Sequence, residues 1–301
     1  MPTTTTDSLF EHCEELQGDK PWGTILDSGT GSHSLRWLNS LANNDEVECD
    51  GWVAITADED MRRRTQEEVD SWGAGAGKVI IGNWAGGYDC NDESVEPESN
   101  CNTPPKPTPV PTLDLASLNL VINKTHNLLR NQKFQTILCD YLIGAMDGFS
   151  PFFQDLIFPR LRNHLLPGGR VYVIGLQPIP DTVNGAAGEI FCKVTKIRDA
   201  CILLAGHRCY REYPFDWIER HLKLAGLTHI TTKKFPIVYT QATITRQINV
   251  ARSKLQLFQD KNLAKMMGKT LDDLEKEGGE ACAGGKIRLG FDYVVSAELK
   301  Q

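Results

Sequence analysis

The chain has 301 residues, of which 41% are hydrophobic and 24% charged, and this composition is typical of a globular protein with one large domain or two modest ones. Its formal net charge of −7 gives no general attraction to nucleic-acid phosphates. The N-terminus shows no secretory signal, and no stretch approaches the roughly 20 apolar residues of a membrane span. We therefore expect a cytoplasmic protein that binds neither nucleic acid nor membrane.

The nine cysteines stand at irregular spacings, without a CxxC pair, and the chain contains no HExxH motif. This pattern favours reduced, buried thiols and gives no support for a metal site. Cys90 and Cys101 flank a loop and could pair under oxidation.

The first part of the chain alternates between apolar runs and helical patterns. Apolar runs predict strands at 23–30, 51–57 and 78–81, and helical spacing or charge predicts helices at 34–41 and 60–72. Such alternation predicts a parallel sheet covered by helices.

Residues 85–112 interrupt this pattern with an acidic run followed by five prolines. We predict a long surface insertion here, with a lid over a site as the alternative. A helix is then expected at 113–131.

The second half of the chain continues the alternation. We predict strands at 134–138, 170–175, 234–239 and 292–299, and helices at 150–166 with a kink at Pro159, and at 187–208, 214–226, 241–266 and 270–277. We expect a single domain over 1–301 that carries the insertion at 85–112 and a helical addition at 241–280.

The segment Thr24–Ser34 (TILDSGTGSHS) is an apolar run that ends in a glycine turn. Such a turn after the first strand of an alternating fold lets the backbone approach a nucleotide cofactor. Gly29 and Gly31 match the first two glycines of the dinucleotide fingerprint G-x-G-x-x-G, but Ser34 occupies the position of the third glycine. This weakens a nicotinamide or flavin interpretation, and no GxxxxGK[ST] loop supports ATP binding.

The same segment resembles motif I of the class I S-adenosylmethionine-dependent methyltransferases, in which an acidic residue precedes Gly-x-Gly-x-Gly. Asp27, Gly29 and Gly31 fit this pattern, whereas His33 replaces the usual third glycine. The resemblance implies that the cofactor is S-adenosylmethionine and that the turn holds it through Asp27, Ser28, Gly29, Thr30, Gly31 and His33.

Later segments extend the resemblance over about 20–240 and 288–300. Thr56 stands where the family places an acidic ribose ligand, and Asp58 is the nearest carboxylate, so either residue could take that role. Gly82-Asn83-Trp84 resembles the family's adenine contact, with Asn83 on the amino group and Trp84 on the ring. Leu165–Gly169 matches the turn before strand five. The resemblance implies an α/β fold with a seven-stranded, mostly parallel sheet, helices on both faces, and an antiparallel last strand.

Ligands of open α/β sheets lie beyond the carboxyl ends of the strands. This places Asp140 and Tyr141, after the fourth strand, beside the methyl group as candidate cofactor-binding and catalytic residues. Gln177, after the fifth strand, is a candidate substrate ligand nearby.

The segment 206–213 (GHRCYREY) is the densest polar and aromatic cluster in the chain. His207 could serve as a base, and Arg208 and Arg211 could bind a substrate carboxylate. Tyr210 and Tyr213 could wall the pocket. The alternative is an amphipathic helix end with surface salt bridges.

The segment after strand four lacks the Asn-Pro-Pro-Tyr or Asp-Pro-Pro-Tyr of the family's amino-methylating nucleic-acid enzymes. We therefore predict a methyltransferase that acts on a small, carboxylate-bearing molecule at N, O or S. The alternatives are a partner subunit that binds the cofactor without turnover and, less favoured, an NAD(P)-dependent oxidoreductase.

Overall fold

The computed structural model describes residues 7–72, 77–86, 128–283 and 287–301. These residues form one sheet in the spatial order β3-β2-β1-β4-β5-β7-β6. Its strands are β1 (Gly23–Asp27), β2 (Cys49–Thr56), β3 (Gly77–Ile81), β4 (Phe134–Asp140), β5 (Leu165–Leu176), β6 (Thr228–Tyr239) and β7 (Ile287–Glu298).

The strands from β1 to β5 pair with their neighbours in parallel, and β7 runs antiparallel to both β5 and β6. The last residue of β1, Asp27, lies beside Ala54 of β2 and Leu138 of β4. The carboxyl ends of these central strands therefore meet at one edge of the sheet. The predicted sheet, with its reversed last strand, is confirmed.

Helices cover both faces of the sheet, as predicted. The described residues form α1 (Ser8–Gln17), α2 (Ser32–Ala42), α3 (Glu59–Ser71), α4 (Leu142–Phe149), α5 (Gln154–Arg162), α6 (Ala186–Leu204), α7 (Phe215–Leu224), α8 (Gln241–Leu255) and α9 (Lys261–Ala283). Successive residues of a strand point to opposite faces. Accordingly, Ile25 packs with α1 and α2, while Leu26 packs with α4, α5 and α7. None of the described helices is both long and apolar enough to cross a membrane.

A third apolar cluster joins α6, α8 and α9 to the outer strands, with Phe191, Ile244 and Leu271 at its centre. The helices α8 and α9 lie in the segment 241–280 that the sequence analysis treats as an addition. The prediction of one continuous helix over 241–266 was wrong. The helix α8 ends at Leu255, because Phe258 packs into the cluster, where it is 2% exposed. A new helix, α9, then begins, and Asp260 caps it by accepting from the amide of Leu263.

Other helix predictions also differ from the structure. Residues 128–131 form a turn rather than a helix end, since Leu129 and Asn131 have φ angles of 56° and 62°. The helix predicted at 150–166 is the shorter α5, which contains Pro159, and α4 precedes it without having been predicted. The helix predicted at 187–208 ends at Leu204. Residues 87–127, which include most of the predicted insertion, lie outside the described residues.

The sequence analysis also missed α1. Asp7 caps this helix by accepting from the amide of Leu9 at 2.8 Å. Leu9, Phe10 and Cys13 are buried against the sheet, on the face that also carries α2. The helix therefore belongs to the core that supports the glycine turn.

Candidate functional site

A cavity of about 170 Å³ opens at the carboxyl edge of the sheet, between the glycine turn and α4. The loops after β1, β2 and β3 all contribute to its walls. Predicted cofactor ligands that line it are Ser28, Gly29, Thr30, Thr56, Asp58, Asn83 and Trp84. The structure thus brings together residues that are as far as 56 positions apart in the sequence.

The glycine turn is fixed by bonds to both neighbouring strands. The backbone amide and the hydroxyl of Ser28 donate to the carbonyl of Leu138 at 2.9 and 2.7 Å, and the amide of Thr30 donates to the carbonyl of Ile55 at 2.8 Å. These three bonds connect the turn to β2 and β4.

The two glycines of this turn have different surroundings. A Cβ atom at Gly29 would lie 2.6 Å from Cδ1 of Leu142, so close packing against α4 requires glycine there. A Cβ atom at Gly31 would meet no described atom within 4 Å. Packing within the described part of the chain thus does not explain Gly31, and the open space beside it suits the close approach of a ligand.

Two carboxylates, each with a buried oxygen, lie at the base of the turn. Asp27 Oδ1 accepts from the Gly29 amide at 3.4 Å, whereas Oδ2 has no hydrogen-bond partner among the described residues. Asp140 Oδ1 is likewise buried and without a described partner. Burial raises the pKa of Asp27 to about 6, and hydrogen bonding from Ser34, Thr30 and Gly29 opposes this rise only in part. Burial, together with the Asp27 charge, raises the pKa of Asp140 to about 7. Unpaired buried carboxylates are costly, and a cationic ligand group would offset this cost.

Thr56 and Asp58 follow β2 at the rim of the cavity. The amide of Asp58 donates to the Thr56 hydroxyl at 3.3 Å, and Asp58 Oδ1 accepts from the Met61 amide at 2.7 Å. Asp58 therefore caps α3, and its exposed carboxylate faces the cavity.

The loop after β3 closes the opposite wall. Asn83 donates to the carbonyl of Phe149 at 3.0 Å and accepts from the hydroxyl of Ser150. Trp84 is 3% exposed, and its indole N–H donates to the carbonyl of Ser28 at 2.6 Å. These bonds connect the loop to the end of α4 and to the glycine turn.

A second cavity of about 980 Å³ adjoins the first, and Asp58 and Tyr210 line both. Its other walls come from α6, α8 and the segment 207–212. Members of the predicted substrate cluster that line it are His207, Arg208, Tyr210 and Arg211. Its volume lies in the usual range for small-molecule sites, roughly 300–1,000 Å³.

Two predicted substrate ligands lie outside the lining of this cavity. Gln177 Oε1 accepts from the Phe215 amide at 3.4 Å, at the start of α7. The Tyr213 ring packs against Trp217, with ring centroids 4.5 Å apart. Both side chains thus take part in packing around α7.

The charges around the second cavity differ in how they are paired. Arg208 donates to the carbonyl of Asp147 at 2.7 Å and forms an ion pair with its carboxylate at 3.2 Å, and Arg211 pairs with Asp199 at 3.3 Å. These bonds fix the segment 207–212 to α4 and α6. The salt bridges of the alternative interpretation are present, but its helix end is not, because α6 ends at Leu204.

Lys196 and Lys254 lie on the cavity wall without a carboxylate in ion-pair range anywhere in the described ranges. Lys196 Nζ donates to the carbonyl of Asp181 at 2.6 Å, and Lys254 Nζ lies 3.1 Å from Nδ1 of His207. The sequence analysis missed both lysines. Unlike the arginines that line this cavity, these two lysines have no anionic partner in the described structure.

The remaining candidates have other surroundings. The His33 side chain is 58% exposed, lies 3.4 Å from Asp7 Oδ2, packs on Phe10 at 4.9 Å and lines neither cavity. Tyr141, at φ 48°, is the N-cap residue of α4 and makes no side-chain capping bond. Burial and Asp292 raise the pKa of Tyr141, which disfavours it as a base.

Among the residues that the structure describes, no group of three or more His, Cys, Asp or Glu side chains is arranged to hold a metal ion. The seven cysteines within the described ranges are free thiols. The possible partners Cys90 and Cys101 lie outside those ranges.

No protein-family model and no curated protein sequence matches the chain. Solved structures do match its fold. A Bacillus halodurans protein to which methyltransferase activity is ascribed aligns with a TM-score of 0.52 at 15% identity, over 98% of this chain and 99% of that one. The chain has the class I methyltransferase fold.

Two further structures share this methyltransferase fold. The YcgJ protein of Bacillus subtilis aligns with a TM-score of 0.51 at 12% identity, over 97% of this chain and 98% of that one. Phosphoethanolamine N-methyltransferase 2 of Haemonchus contortus, in complex with phosphomonomethylethanolamine and S-adenosylhomocysteine, aligns with a TM-score of 0.50 at 15% identity. The alignment covers 97% of this chain and 52% of that one, so the present chain spans about half of that protein.

Proposed function

We propose that this protein is an S-adenosylmethionine-dependent methyltransferase that acts on a small anionic molecule. The observation that carries the proposal is the pair of buried, unpaired carboxylate oxygens of Asp27 and Asp140 beneath a turn that leaves Gly31 open. S-adenosylmethionine carries an ammonium group that these carboxylates would accept, and its sulfonium supplies the methyl group for an in-line displacement.

The first cavity suits the adenosine part of this cofactor. Asp58 uses Oδ1 to cap α3, so its second oxygen is available for a ribose hydroxyl, and Thr56 lies beside it. Trp84, Leu142 and Met146 provide apolar walls for a purine ring, and Asn83 holds the loop that positions Trp84. Since the turn and these walls are fixed by internal bonds, the site is preorganised for binding.

The second cavity suits the substrate. The ammonium groups of Lys196 and Lys254 would attract a carboxylate or phosphate, because neither has an ion-pair partner within the described structure. Arg208 and Arg211, which the sequence analysis places on the substrate, hold the segment 207–212 in position through Asp147 and Asp199. Tyr210, which lines both cavities, separates the adenosine wall from the substrate wall.

Calorimetry with S-adenosylhomocysteine, followed by a labelled-methyl transfer assay against fractionated small metabolites, tests the proposal. We expect binding of S-adenosylhomocysteine and transfer of label to an anionic acceptor. Binding without transfer to any fraction would favour a partner subunit that has lost turnover. Thermal stabilisation by NAD(P) but not by S-adenosylhomocysteine would overturn the proposal.

A further inference from the structure

Glu212 lines the second cavity, and its carboxylate lies against Gly144 of α4. The amide of Arg211 donates to the carbonyl of Gly144 at 3.1 Å. A Cβ atom at Gly148 would lie 3.2 Å from the Tyr210 ring, and one at Gly144 would collide with Glu212 Oε2. These two glycines, four residues apart on one face of α4, allow the segment 210–212 to lie directly against the helix.

This contact places the Glu212 carboxylate near the catalytic edge of the sheet. The helix α4 begins two residues after Asp140, which ends β4, and Tyr210 lines the adjoining cavity beside the glycine turn. In open α/β sheets ligands bind beyond the carboxyl ends of the strands. The carboxylate therefore borders the place where the proposed cofactor and substrate meet.

The Glu212 carboxylate is uncommitted in the part of the chain that the structure describes, where it forms neither a hydrogen bond nor an ion pair. Asp199, on the same cavity wall, differs because it binds both Arg198 and Arg211. A carboxylate that faces a cavity without a structural partner is available to a ligand.

The groups that face Glu212 come from three elements. Asp292 and Tyr293 belong to β7, Arg198 belongs to α6, and Tyr210 lies on the same segment as Glu212. Burial and the Asp292 charge raise the pKa of Glu212 to about 7, and Arg198 opposes this shift only in part. A carboxyl group that titrates near neutral pH can take up a proton during turnover.

We propose that Glu212 is the general base that takes the proton from the accepting atom of the substrate, an inference that rests on the proposed methyl transfer. The accepting atom is therefore one that bears a proton, such as a hydroxyl oxygen, an amine nitrogen or a thiol sulfur, and not a thioether sulfur. An electron pair of that atom forms the new bond to the methyl carbon, the carbon–sulfur bond breaks, and its pair stays on the neutral sulfur. The proton of the acceptor moves to a Glu212 oxygen and leaves through the open cavity to water.

The bases proposed from the sequence have less suitable surroundings. His207 is exposed, and its Nδ1 lies 3.1 Å from Nζ of Lys254, so that ring nitrogen already has a partner. Asp140 lines neither cavity, and it lies beneath the turn where the cofactor's ammonium group would lie.

The test uses the full chain with labelled S-adenosylmethionine and two acceptor pools, one of hydroxy, amino and thiol carboxylic acids and one of thioether acids. We expect label in the first pool only. Glu212→Gln should lower kcat about 100-fold or more, keep the affinity for S-adenosylhomocysteine, and lose the rise of kcat with pH near neutrality. Glu280→Gln, an exposed glutamate on α9, is the matched control and should behave as wild type.

Gly144→Ala is a second variant, since its methyl group should displace the flexible carboxylate of Glu212 rather than unfold the protein. We expect a lower kcat with unchanged affinity for S-adenosylhomocysteine. A wild-type kcat and pH profile in Glu212→Gln, or label in the thioether pool, would overturn the inference alone. Label in neither pool would remove the proposed methyl transfer and the inference together. Failure of the wild type to bind S-adenosylhomocysteine would overturn the proposed function as well.

Discussion

Asp27 and Asp140 end neighbouring parallel strands, and each buries a carboxylate oxygen that lacks a partner in the described structure. Their charges interact, since Asp27 contributes to the raised pKa of Asp140. Burial of two like charges without a cation destabilises the ligand-free protein. The same arrangement favours the binding of a cationic ligand group. Stability and cofactor affinity should therefore respond to pH in opposite ways.

The first prediction concerns the stability of the ligand-free protein. Folding raises both pKa values above the usual carboxyl range, to about 6 for Asp27 and about 7 for Asp140. The folded state therefore binds protons more tightly, and the free energy of unfolding should fall as the pH rises from about 4 to about 7. Between pH 5 and pH 8, Asp140→Asn should reduce this fall by roughly 3 kcal/mol, because the folded-state pKa of Asp140 lies about two units above pH 5 and one pKa unit corresponds to about 1.4 kcal/mol.

Urea denaturation at pH 5 and pH 8 measures this difference. Asp273→Asn, at an exposed position on α9, is the control and should keep the wild-type slope. An equal pH dependence in the wild type and in Asp140→Asn would show that this carboxyl group ionises in the native state without penalty.

The second prediction concerns cofactor affinity. The ionised forms of Asp27 and Asp140 would bind the ammonium group of S-adenosylhomocysteine, so the affinity of the wild type should increase from pH 5.5 to pH 7.5. Asp140→Asn should weaken binding at pH 7.5 about tenfold or more and flatten this increase, because charged hydrogen bonds contribute roughly 1.5–3 kcal/mol. Calorimetry at both pH values gives the comparison. An affinity that falls with pH would exclude these carboxylates as ligands of the ammonium group.

The third prediction separates the two glycines of the turn. Gly31 has an extended backbone with φ −133°, which valine also adopts, and its Cβ would point into open space. Gly31→Val should abolish binding of S-adenosylhomocysteine while reducing stability only slightly, through loss of a favourable helix N-cap. Gly29→Ala is the matched comparison and should destabilise the protein by about 1–3 kcal/mol, because its Cβ overlaps Leu142.

Thermal unfolding and calorimetry distinguish these two effects. Wild-type affinity in Gly31→Val would show that the cofactor does not pass this turn. A strongly destabilised Gly31→Val would instead indicate that the residue is required for packing.

The sheet could be predicted because each of its central strands is a short apolar run bounded by turn residues, as in 51–57 and 78–81. The glycine turn could also be predicted, since its glycines follow β1 directly in the sequence. By contrast, α1 was not predicted, although Asp7 and Gly18 flank an amphipathic segment. The turn at 128–131 has a local cause that propensity does not reveal, the left-handed backbone of Leu129 and Asn131.

The substrate side of the site was less predictable for a physical reason. Glu212 and Lys254 are 42 positions apart, and they line one cavity only because α6 and α8 pack against each other. The sequence shows which side chains are charged, but ion pairs with Asp147 and Asp199 decide that Arg208 and Arg211 are already engaged. Only the tertiary structure distinguishes paired cations from available ones.

The last prediction tests that distinction at Lys254. Lys254→Gln keeps a polar side chain but removes the charge, and it should raise the KM for the anionic acceptor about tenfold while sparing kcat and the affinity for S-adenosylhomocysteine. Lys254→Glu should raise the KM further, because a carboxylate would repel the acceptor. Lys265→Gln, an exposed lysine on α9, provides the control. Steady-state kinetics with the acceptor from the labelled-methyl assay measure these values, and a wild-type KM in both Lys254 variants would remove this lysine from the substrate site.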